Sequence, residues 1–412
     1  MSGQGYGLFA VAVASWFLAH GMQGVVFSWL VVGDLRAAPS WVGTAQMAQI
    51  LPAALFVVVG GAVADRGDRR RLLAACHLAA AGLVLGLAAV VWVGLLGLAL
   101  LIAYAFLFGT LHAVALPIRE ALLYQVGRRD LARAVTATTL VQFTATALGA
   151  ALGGAAEWLG SVSALVLMAG FAALGAPVLG RLPPPEPDGP AGVALGAAAA
   201  AAPASAGARL RAALADVREG FAEVARSPRL LPIAVLVAAN GLFFMGPYFT
   251  LTPVLVRDVY HAGVSSLGLA MMMFPLGTIA GSVALLARGA PGHRGRALLA
   301  GLACGAGSLG LISSSPPFPV FLLAILGWGL AGSLFLNMSR TLFQEAVPER
   351  QRGRVLAVYF LALLGMAPVS NVLAGVLAGA VGAPRVCAGA GASMLAVVAL
   401  VAVRGGGVAR IP

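Results

Sequence analysis

The sequence predicts an all-α integral membrane protein whose twelve transmembrane helices form two pseudo-symmetric bundles of six. Of its 412 residues, 60% are hydrophobic and only 10% are charged, whereas a soluble domain carries about 25% charged residues. The apolar residues fall into twelve stretches, each near the roughly 20 residues that a spanning helix requires. A repeat supports the two halves, because a fixed offset of 221 positions relates Arg119, Arg129 and Arg133 to Arg340, Arg350 and Arg354.

The apolar stretches define the expected helices. In chain order they run Tyr6–Val32, Ser40–Val63, Leu72–Val93, Leu95–Pro117, Leu131–Ala155, Ser161–Gly180, Leu230–Val256, Ser265–Ala287, Ala297–Ser313, Phe318–Leu342, Val355–Val381 and Pro384–Val403. Residues 1–180 are therefore expected to form the N-terminal bundle and residues 229–412 the C-terminal bundle. Small residues in the fifth and eleventh stretches predict close helix contacts: Gly149, Gly153, Gly154, Gly375 and Gly379.

Residues 181–228 are the expected linker between the bundles. They begin with Pro183–Pro185 and an Ala-rich stretch that is typical of a linker. Apolar residues then recur at helical spacing: Leu210, Leu214, Val217, Phe221 and Val224. This pattern predicts an amphipathic helix on the membrane surface, and a helix that binds a partner is the alternative.

The arginines predict the orientation, because cytoplasmic loops carry an excess of basic residues. Alternate loops hold the clusters Arg66–Arg71, Arg119–Arg133, Arg288–Arg296 and Arg340–Arg354, and the opposite loops hold only Arg36, Arg257 and Arg385. Both termini and the linker are therefore expected in the cytoplasm. This topology accounts for the net charge of +12, so nucleic-acid binding is not expected. All 26 basic residues are Arg, which, with abundant Ala and Gly, favours a GC-rich bacterium and its inner membrane.

The sequence argues against several other activities. Cys76, Cys304 and Cys387 lie in apolar stretches without metal-ligand spacing, and no metal or cofactor is expected. The chain has no Lys and therefore no Gly-Lys-Ser/Thr phosphate loop, which excludes ATP-driven transport by this chain alone. An intramembrane enzyme would need paired acids, a metal cluster or a Ser–His pair at mid-depth, and none is visible.

Three loop sequences resemble the major facilitator superfamily. Gly61–Arg71 resembles the loop between helices 2 and 3, and Gln344–Arg354 resembles the loop before helix 11. Asp216–Phe221, followed by Arg226–Pro228, is similar to the linker of the branch that contains the enterobactin exporter. The main departure is Asp68, which stands where the superfamily loop has its second Gly. The resemblance implies the major facilitator fold, alternating access around a central site, and efflux of siderophore-like or drug-like amphiphiles.

The resemblance also implies a gating motif at the cytoplasmic helix ends. Asp65 is expected to meet the N-terminus of helix 11, where the helix dipole favours negative charge, and Arg69 is expected to pair with Glu120 at the base of helix 4. Both contacts would stabilise the outward-facing state and break on opening inward. The other residues of the expected motif are Gly61, Arg66, Arg70, Arg352, Gly353 and Arg354. The alternative is that these arginines only fix the topology.

Two histidines are candidate proton or substrate groups, because ionisable residues inside a membrane are rare and usually functional. His20 lies in the middle of the first predicted helix and His112 in the fourth, whereas no Asp or Glu is expected at mid-membrane. Gln23 follows His20 at near-turn spacing, so both can share a face. Further residues within the spans are expected to line a solute cavity or to bond neighbouring helices: Gln49, Gln142, Asn240, Phe244, Tyr248, Asn337 and Asn371.

These features predict a monomeric secondary transporter with the proton as coupling ion and a small amphiphilic molecule as cargo. An importer of a small metabolite remains an alternative, because the fold does not set the direction of transport. A non-transporting membrane receptor or scaffold of the same fold is the second alternative.

Overall fold

The computed structural model describes residues 3–64, 68–127, 131–182, 215, 218–289, 291–346, 352–404 and 408. Within these ranges the chain is helical and contains no β-strand. Eleven helices in this part are long and apolar enough to cross a membrane. The 26-residue helix Pro39–Ala64, which carries no charged residue, is a further long helix. The structure confirms the predicted all-helical membrane fold, and the chain is a multi-pass membrane protein.

The long helices follow the order of the predicted spans. In chain order they are α1 (Gly3–Trp29), α2 (Pro39–Ala64), α3 (Arg69–Trp92), α4 (Leu98–Val126), α5 (Leu131–Gly154), α6 (Ser161–Gly180), α7 (Leu230–Gly246), α8 (Val264–Arg288), α9 (Arg294–Ser313), α10 (Phe318–Glu345), α11 (Arg352–Val381) and α12 (Ala383–Arg404). Two of them continue through a π-helical turn. Helix α1 extends through Leu30–Asp34, and α7 extends through Pro247–Leu251 into Thr252–Asp258.

The fourth helix ends later than the sequence predicts. The prediction ends it at Pro117, whereas α4 continues to Val126. A proline removes one backbone N–H, and membrane helices tolerate that loss where neighbouring helices pack around them. Ile118, Leu122 and Leu123 are all buried, so packing holds the last turns of α4. Arg119 and Glu120 therefore lie on the helix and not in a loop.

Only part of the predicted linker helix falls within the described residues. Residues 218–226 are helical, with Val224 buried and Phe221 exposed. Leu210, Leu214 and Val217 lie outside the described residues, as does the Pro-rich run. The amphipathic helix stays a prediction over most of its length.

The two halves of the chain pack their helices in the same pattern. In the first half, α1 packs on α5 and α6, α2 packs on α4, and α3 packs on α4 and α6. In the second half, α7 packs on α11 and α12, α8 packs on α10, and α9 packs on α10 and α12. Raising each helix number by six converts the first set into the second. The repeat in sequence is therefore also a repeat in packing.

The halves meet along two helix pairs, α2 with α11 and α5 with α8, which the same symmetry exchanges. Glycines let the backbones touch, because a Cβ on Gly43 would clash with a carbonyl oxygen of α11 and one on Gly375 would clash with a carbonyl oxygen of α2. Gly154 and Gly268 make the matching approach between α5 and α8. All four glycines lie toward the helix ends whose loops carry few arginines. We call this end of the molecule the arginine-poor side and the opposite end the arginine-rich side.

Two polar contacts join the halves on the arginine-poor side. The guanidinium of Arg257 donates hydrogen bonds to the carbonyl oxygens of Val32 and Ala37, both at 2.9 Å. The carboxylate of Glu157 accepts a hydrogen bond of 2.9 Å from the backbone N–H of Ser265 in the first turn of α8. The helix dipole favours a negative charge at that position. We call these two contacts the clasp.

Candidate transport site

A cavity of about 360 Å³ lies between the two halves, midway along the helices. Helices α1, α2 and α4 supply its first wall, and helices α7 to α11 supply its second wall. The volume falls within the range of roughly 300–1,000 Å³ that is typical of small-molecule sites. Transporters built from repeats bind their solutes at this position, between the repeats near the bilayer midplane.

The first wall carries most of the polar side chains of the cavity. It contains His20, Gln46, Gln49 and His112, and the two imidazole rings stack with their centroids 4.6 Å apart. His112 Nδ1 accepts a hydrogen bond from Trp16 Nε1 at 3.4 Å, so a neutral His112 carries its proton on Nε2. His20 Nδ1 is buried and has no hydrogen-bond partner among the described residues.

A hydrogen-bond network behind the first wall holds its glutamines. Tyr104 Oη donates to Gln23 Oε1 at 2.6 Å, and Gln23 Nε2 donates to Gln49 Oε1 at 3.5 Å. Gln46 Nε2 donates to Ser28 Oγ at 2.9 Å. Gln23 is fully buried and does not line the cavity itself, but it positions the side chain of Gln49, which does. The network fixes neutral donors and acceptors along this wall.

The second wall is aromatic. The Trp328 ring has Phe244, Tyr248 and Phe274 around it at centroid distances of 5.4, 6.1 and 5.7 Å, with nearly perpendicular ring planes. Edge-to-face packing is a preferred geometry of aromatic rings. Tyr248 Oη already donates to a carbonyl oxygen of α8 at 2.9 Å. Apart from the Asn240 amide, this wall therefore presents mainly apolar surface to the cavity.

Charged side chains do not line the cavity among the described residues. Arg119 lies two turns beyond His112 on α4, and it is 7% exposed. Its Nη2 is 3.2 Å from Glu120 Oε1, and its Cζ is 4.9 Å from the centre of the Phe17 ring. Its Nε has no hydrogen-bond partner in the described part of the chain. One positive charge thus lies on the arginine-rich side of the cavity and not in its wall.

His77 of α3 is a buried ionisable residue that the sequence analysis did not select as a candidate functional residue. Its Nδ1 lies 2.8 Å from the carbonyl oxygen of Ala172, and its ring packs edge-on against Trp16 at 4.9 Å. A void of about 10 Å³ touches His77, Trp16 and Arg119, which is close to the space of one water molecule. The signal was an ionisable residue inside an apolar stretch. His77 lies only two turns from the basic loop before α3, where polar residues are common, so the sequence did not distinguish it from the residues of that loop.

The structure brings most of the predicted site residues to the cavity. Those that line it are His20, His112, Gln49, Asn240, Phe244 and Tyr248. Gln46 and Trp328 also line it, and the sequence did not single them out. Hydrophobic helices carry no periodic signal that tells which of their faces meets a cavity, so these two residues could not be distinguished from buried neighbours.

Four predicted residues do not line the cavity, and one of them is Gln23 in the network behind the first wall. Asn371 is fully buried, and its Oδ1 accepts a hydrogen bond of 2.7 Å from Thr250 Oγ1, so it joins α11 to α7. Asn337 is exposed, and its Nδ2 donates to the Ser333 carbonyl oxygen of its own helix at 2.8 Å. Gln142 is half-buried on α5, away from the cavity lining. Of the two roles expected from the sequence, lining the cavity or bonding neighbouring helices, Asn371 has the second.

Part of the predicted gating motif falls outside the described residues, namely Asp65 and Arg66. Gly61, Arg352, Gly353 and Arg354 belong to helices, but the surroundings of these residues lie outside the described part. Glu120 pairs with Arg119, and its pairing with Arg69 stays a prediction.

Asp68 in the same loop caps α3. Its Oδ1 accepts a hydrogen bond from the Arg70 backbone N–H at 3.0 Å, and its Oδ2 pairs with Arg70 Nη2 at 2.6 Å. The Arg70 side chain holds the pKa of Asp68 below its ordinary value. The departure from the superfamily loop at this position therefore supplies a helix cap.

The sequence profile of the Major Facilitator Superfamily matches residues 9–370. Among solved structures, the chain is similar to a mutant of the nucleoside transporter NupG, with a TM-score of 0.76 and 13% identity over 96% of this chain and 98% of that chain. It is also similar to the human organic anion transporter MFSD10 (TETRAN), with a TM-score of 0.66 and 16% identity over 97% and 100% of the two chains.

A bacterial homologue of the human lysosomal transporter Spinster, inward-facing and unoccupied, has a TM-score of 0.66 and 15% identity over 100% and 96% of the two chains. No curated protein sequence matches this chain. At these identities the structural likeness establishes a shared fold.

Proposed function

The chain belongs to the Major Facilitator Superfamily, and we propose that it is a proton-coupled exporter of a small amphiphilic molecule that works by alternating access. Membership of this family makes it a transporter and not an enzyme. The observation that carries the proposal is the central cavity, which lies between the halves and has two histidines in its wall. An amphiphile suits a largely apolar cavity with a few placed polar groups.

The proposed orientation places the arginine-rich side in the cytoplasm of a bacterium. Both termini and residues 181–228 then lie in the cytoplasm, and residues 1–180 and 229–412 are the two moving bundles of a monomer. The clasp closes the outer side in this assignment, so the cavity in this state does not open outward. The resemblance to the enterobactin-exporter branch favours an exported cargo.

His20 and His112 form the proposed proton site. Histidine changes its charge near physiological pH, and no Asp or Glu lines the described cavity. The two rings are 4.6 Å apart, so the pair accepts one proton more readily than two because like charges repel at this distance. Exchange requires that a proton on this wall and a cargo molecule in the same cavity weaken each other's binding.

The gating motif would stabilise the opposite state. When the arginine-rich side closes, Asp65 is proposed to meet the N-terminus of α11, and Arg69 is proposed to reach Glu120. The Glu120 side chain is 44% exposed while it pairs with Arg119, so it is accessible to a second arginine. The clasp and the motif then favour opposite states of one equilibrium.

Proton-coupled flux in reconstituted vesicles tests the proposal. Purified protein is placed in vesicles that hold a pH-sensitive dye, and uncharged, cationic and anionic amphiphiles are added in turn. We expect at least one amphiphile to move against the direction of protons, at a rate that rises with the imposed pH gradient. Movement in the same direction as protons would support the importer, and binding without flux would support the receptor or scaffold. Vesicles without protein are the control.

A further inference from the structure

The two walls of the cavity differ in chemistry, and together they define a class of cargo. We propose that the transported molecule is an uncharged, planar aromatic compound, with its ring against the second wall and its polar edge toward the first wall. This inference rests on the proposed function, because it assigns the cargo of the same cavity.

The charges around the cavity favour an uncharged cargo. An ion that enters a membrane-embedded apolar site loses its hydration, and only a nearby opposite charge compensates for the loss. With His20 and His112 neutral, the described lining offers no such group. Arg119 disfavours a cation, and because it does not line the cavity and already pairs with Glu120, it gives an anion no direct contact.

The second wall favours a flat ring. Six aromatic side chains contribute to it: Phe244, Tyr248, Phe249, Phe274, Trp328 and Phe335. Trp328 is only 3% exposed, and the edge-to-face contacts of its neighbours fix its orientation. The first half contributes the small residues Ala53, Gly109 and Ala113 to the same cavity, together with the larger Ile50, Phe108 and Leu116. A planar molecule suits such a cavity better than a bulky one, because it can lie along the aromatic rings.

The first wall favours a neutral polar edge on that ring. His112 offers Nε2–H as a donor, because Trp16 already donates to its Nδ1. Gln46 offers Oε1 as an acceptor, because its Nε2 donates to Ser28. A pure hydrocarbon would leave these groups unpaired after water is displaced, which is unfavourable. A ring that carries an N–H or C=O group satisfies them.

Binding of three ligands with one ring system tests this inference. Acridone is uncharged, N-methylacridinium is a cation, and acridine-9-carboxylate is an anion. In titrations of the purified chain in nanodiscs at neutral pH, we expect acridone to bind at least about tenfold more tightly than either ion, which corresponds to about 1.4 kcal/mol. Trp328→Leu should weaken acridone binding by about tenfold or more, because the ring-to-ring contact is lost.

The matched control is Trp92→Leu, because Trp92 is 79% exposed and lies outside the cavity lining. Its affinity for acridone should equal that of the unmodified chain. Phe274→Leu is the second aromatic variant, for the case in which Trp328→Leu does not fold. No acridone binding, equal or tighter binding of either ion, or unchanged affinity in the folded aromatic variants would overturn the inference.

The two proposals fail in distinguishable ways. Proton-driven flux of a charged amphiphile, without acridone binding, would reject the cargo class and leave the transporter intact. Acridone binding with the expected preference, but without flux of any amphiphile, would support the site and reject proton-coupled transport.

Discussion

His20 and His112 form the proposed proton site. We expect His20→Gln and His112→Gln to lose the part of cargo flux that an imposed pH gradient drives, because glutamine cannot change its charge. Cargo exchange without a gradient should continue, since glutamine still forms neutral hydrogen bonds. The measurement is flux in vesicles with and without the gradient. His293→Gln is the control, because His293 is exposed at the N-terminus of α9. Full gradient-driven flux in both cavity variants would refute the histidine site.

Asp68 is expected to contribute stability through its cap on α3. Asp68→Ala should lower the free energy of unfolding by about 1 kcal/mol, measured by thermal unfolding of the purified protein. Asp68→Asn should lose less, since asparagine also caps helices.

The same cap has an expected pH dependence. Arg70 lowers the pKa of Asp68 in the folded state, so its stabilisation is complete above the unfolded pKa of about 3.9. It is lost as the pH falls from there through the lower folded value. The stability difference between the unmodified protein and Asp68→Ala should therefore be constant near neutral pH and shrink in strong acid. A difference that does not shrink would show that the charge of Asp68 has no part in it.

Gly375 of α11 lies directly against the backbone of α2. A Cβ on Gly375 would clash with the Pro39 carbonyl oxygen of α2, whereas Gly379, one turn away, has no atom within 4 Å of that position. Gly375→Ala should hinder closure of the arginine-poor side, since overpacking costs about 1–3 kcal/mol, and should slow cargo turnover in vesicles. Gly379→Ala is the matched control and should turn over at the normal rate. Equal rates in the two variants would contradict the contact.

At the scale of elements, the sequence predicted the helices better than their contacts. Apolar length and alternating arginines identified the spans, because these signals follow from the thickness and the electrostatics of a membrane. The predicted end of α4 at Pro117 was wrong, because packing lets a membrane helix continue through a proline. Asn240 and Asn371 looked alike in sequence, yet one lines the cavity and the other bonds α7. The direction of a side chain depends on neighbours from distant parts of the chain, so the sequence could not separate these roles.

For the whole molecule, the clasp is expected to bias the equilibrium between its two states. Glu157→Gln weakens a charged hydrogen bond to the N-terminus of α8. Because Glu157 is exposed, this interaction is worth about 0.3–1 kcal/mol. The population open on the arginine-poor side should therefore rise by roughly two- to fivefold.

Thiol labelling measures this change. A cysteine replaces Asn240 in the cavity of a chain without its native cysteines, and a membrane-impermeant maleimide is added from the arginine-poor side. Labelling should be faster in Glu157→Gln. Asp34→Asn is the control, because Asp34 contacts Ser161 within the same half. Equal labelling rates in all three chains would show that Glu157 does not hold the halves together.

The repeat was the strongest prediction at this scale, since matched arginines in sequence correspond to matched helix pairs in the fold. The side on which these polar contacts join the halves could not be predicted. Glu157 and Arg257 lie near loops, where charged residues are ordinary, and only the fold shows that each reaches across to the other half.

Distances between spin labels on both sides of the molecule test directly whether the two halves alternate around the central cavity. One pair of labels replaces Trp158 and His261 on the arginine-poor side, and a second pair replaces Tyr124 and Arg288 on the arginine-rich side; all four residues are exposed. Alternating access predicts two distances for each pair, and a change in pH or added cargo should lengthen the distance in one pair while the distance in the other shortens. A single unchanging distance for both pairs, or a lengthening of both together, would contradict alternating access around the central cavity.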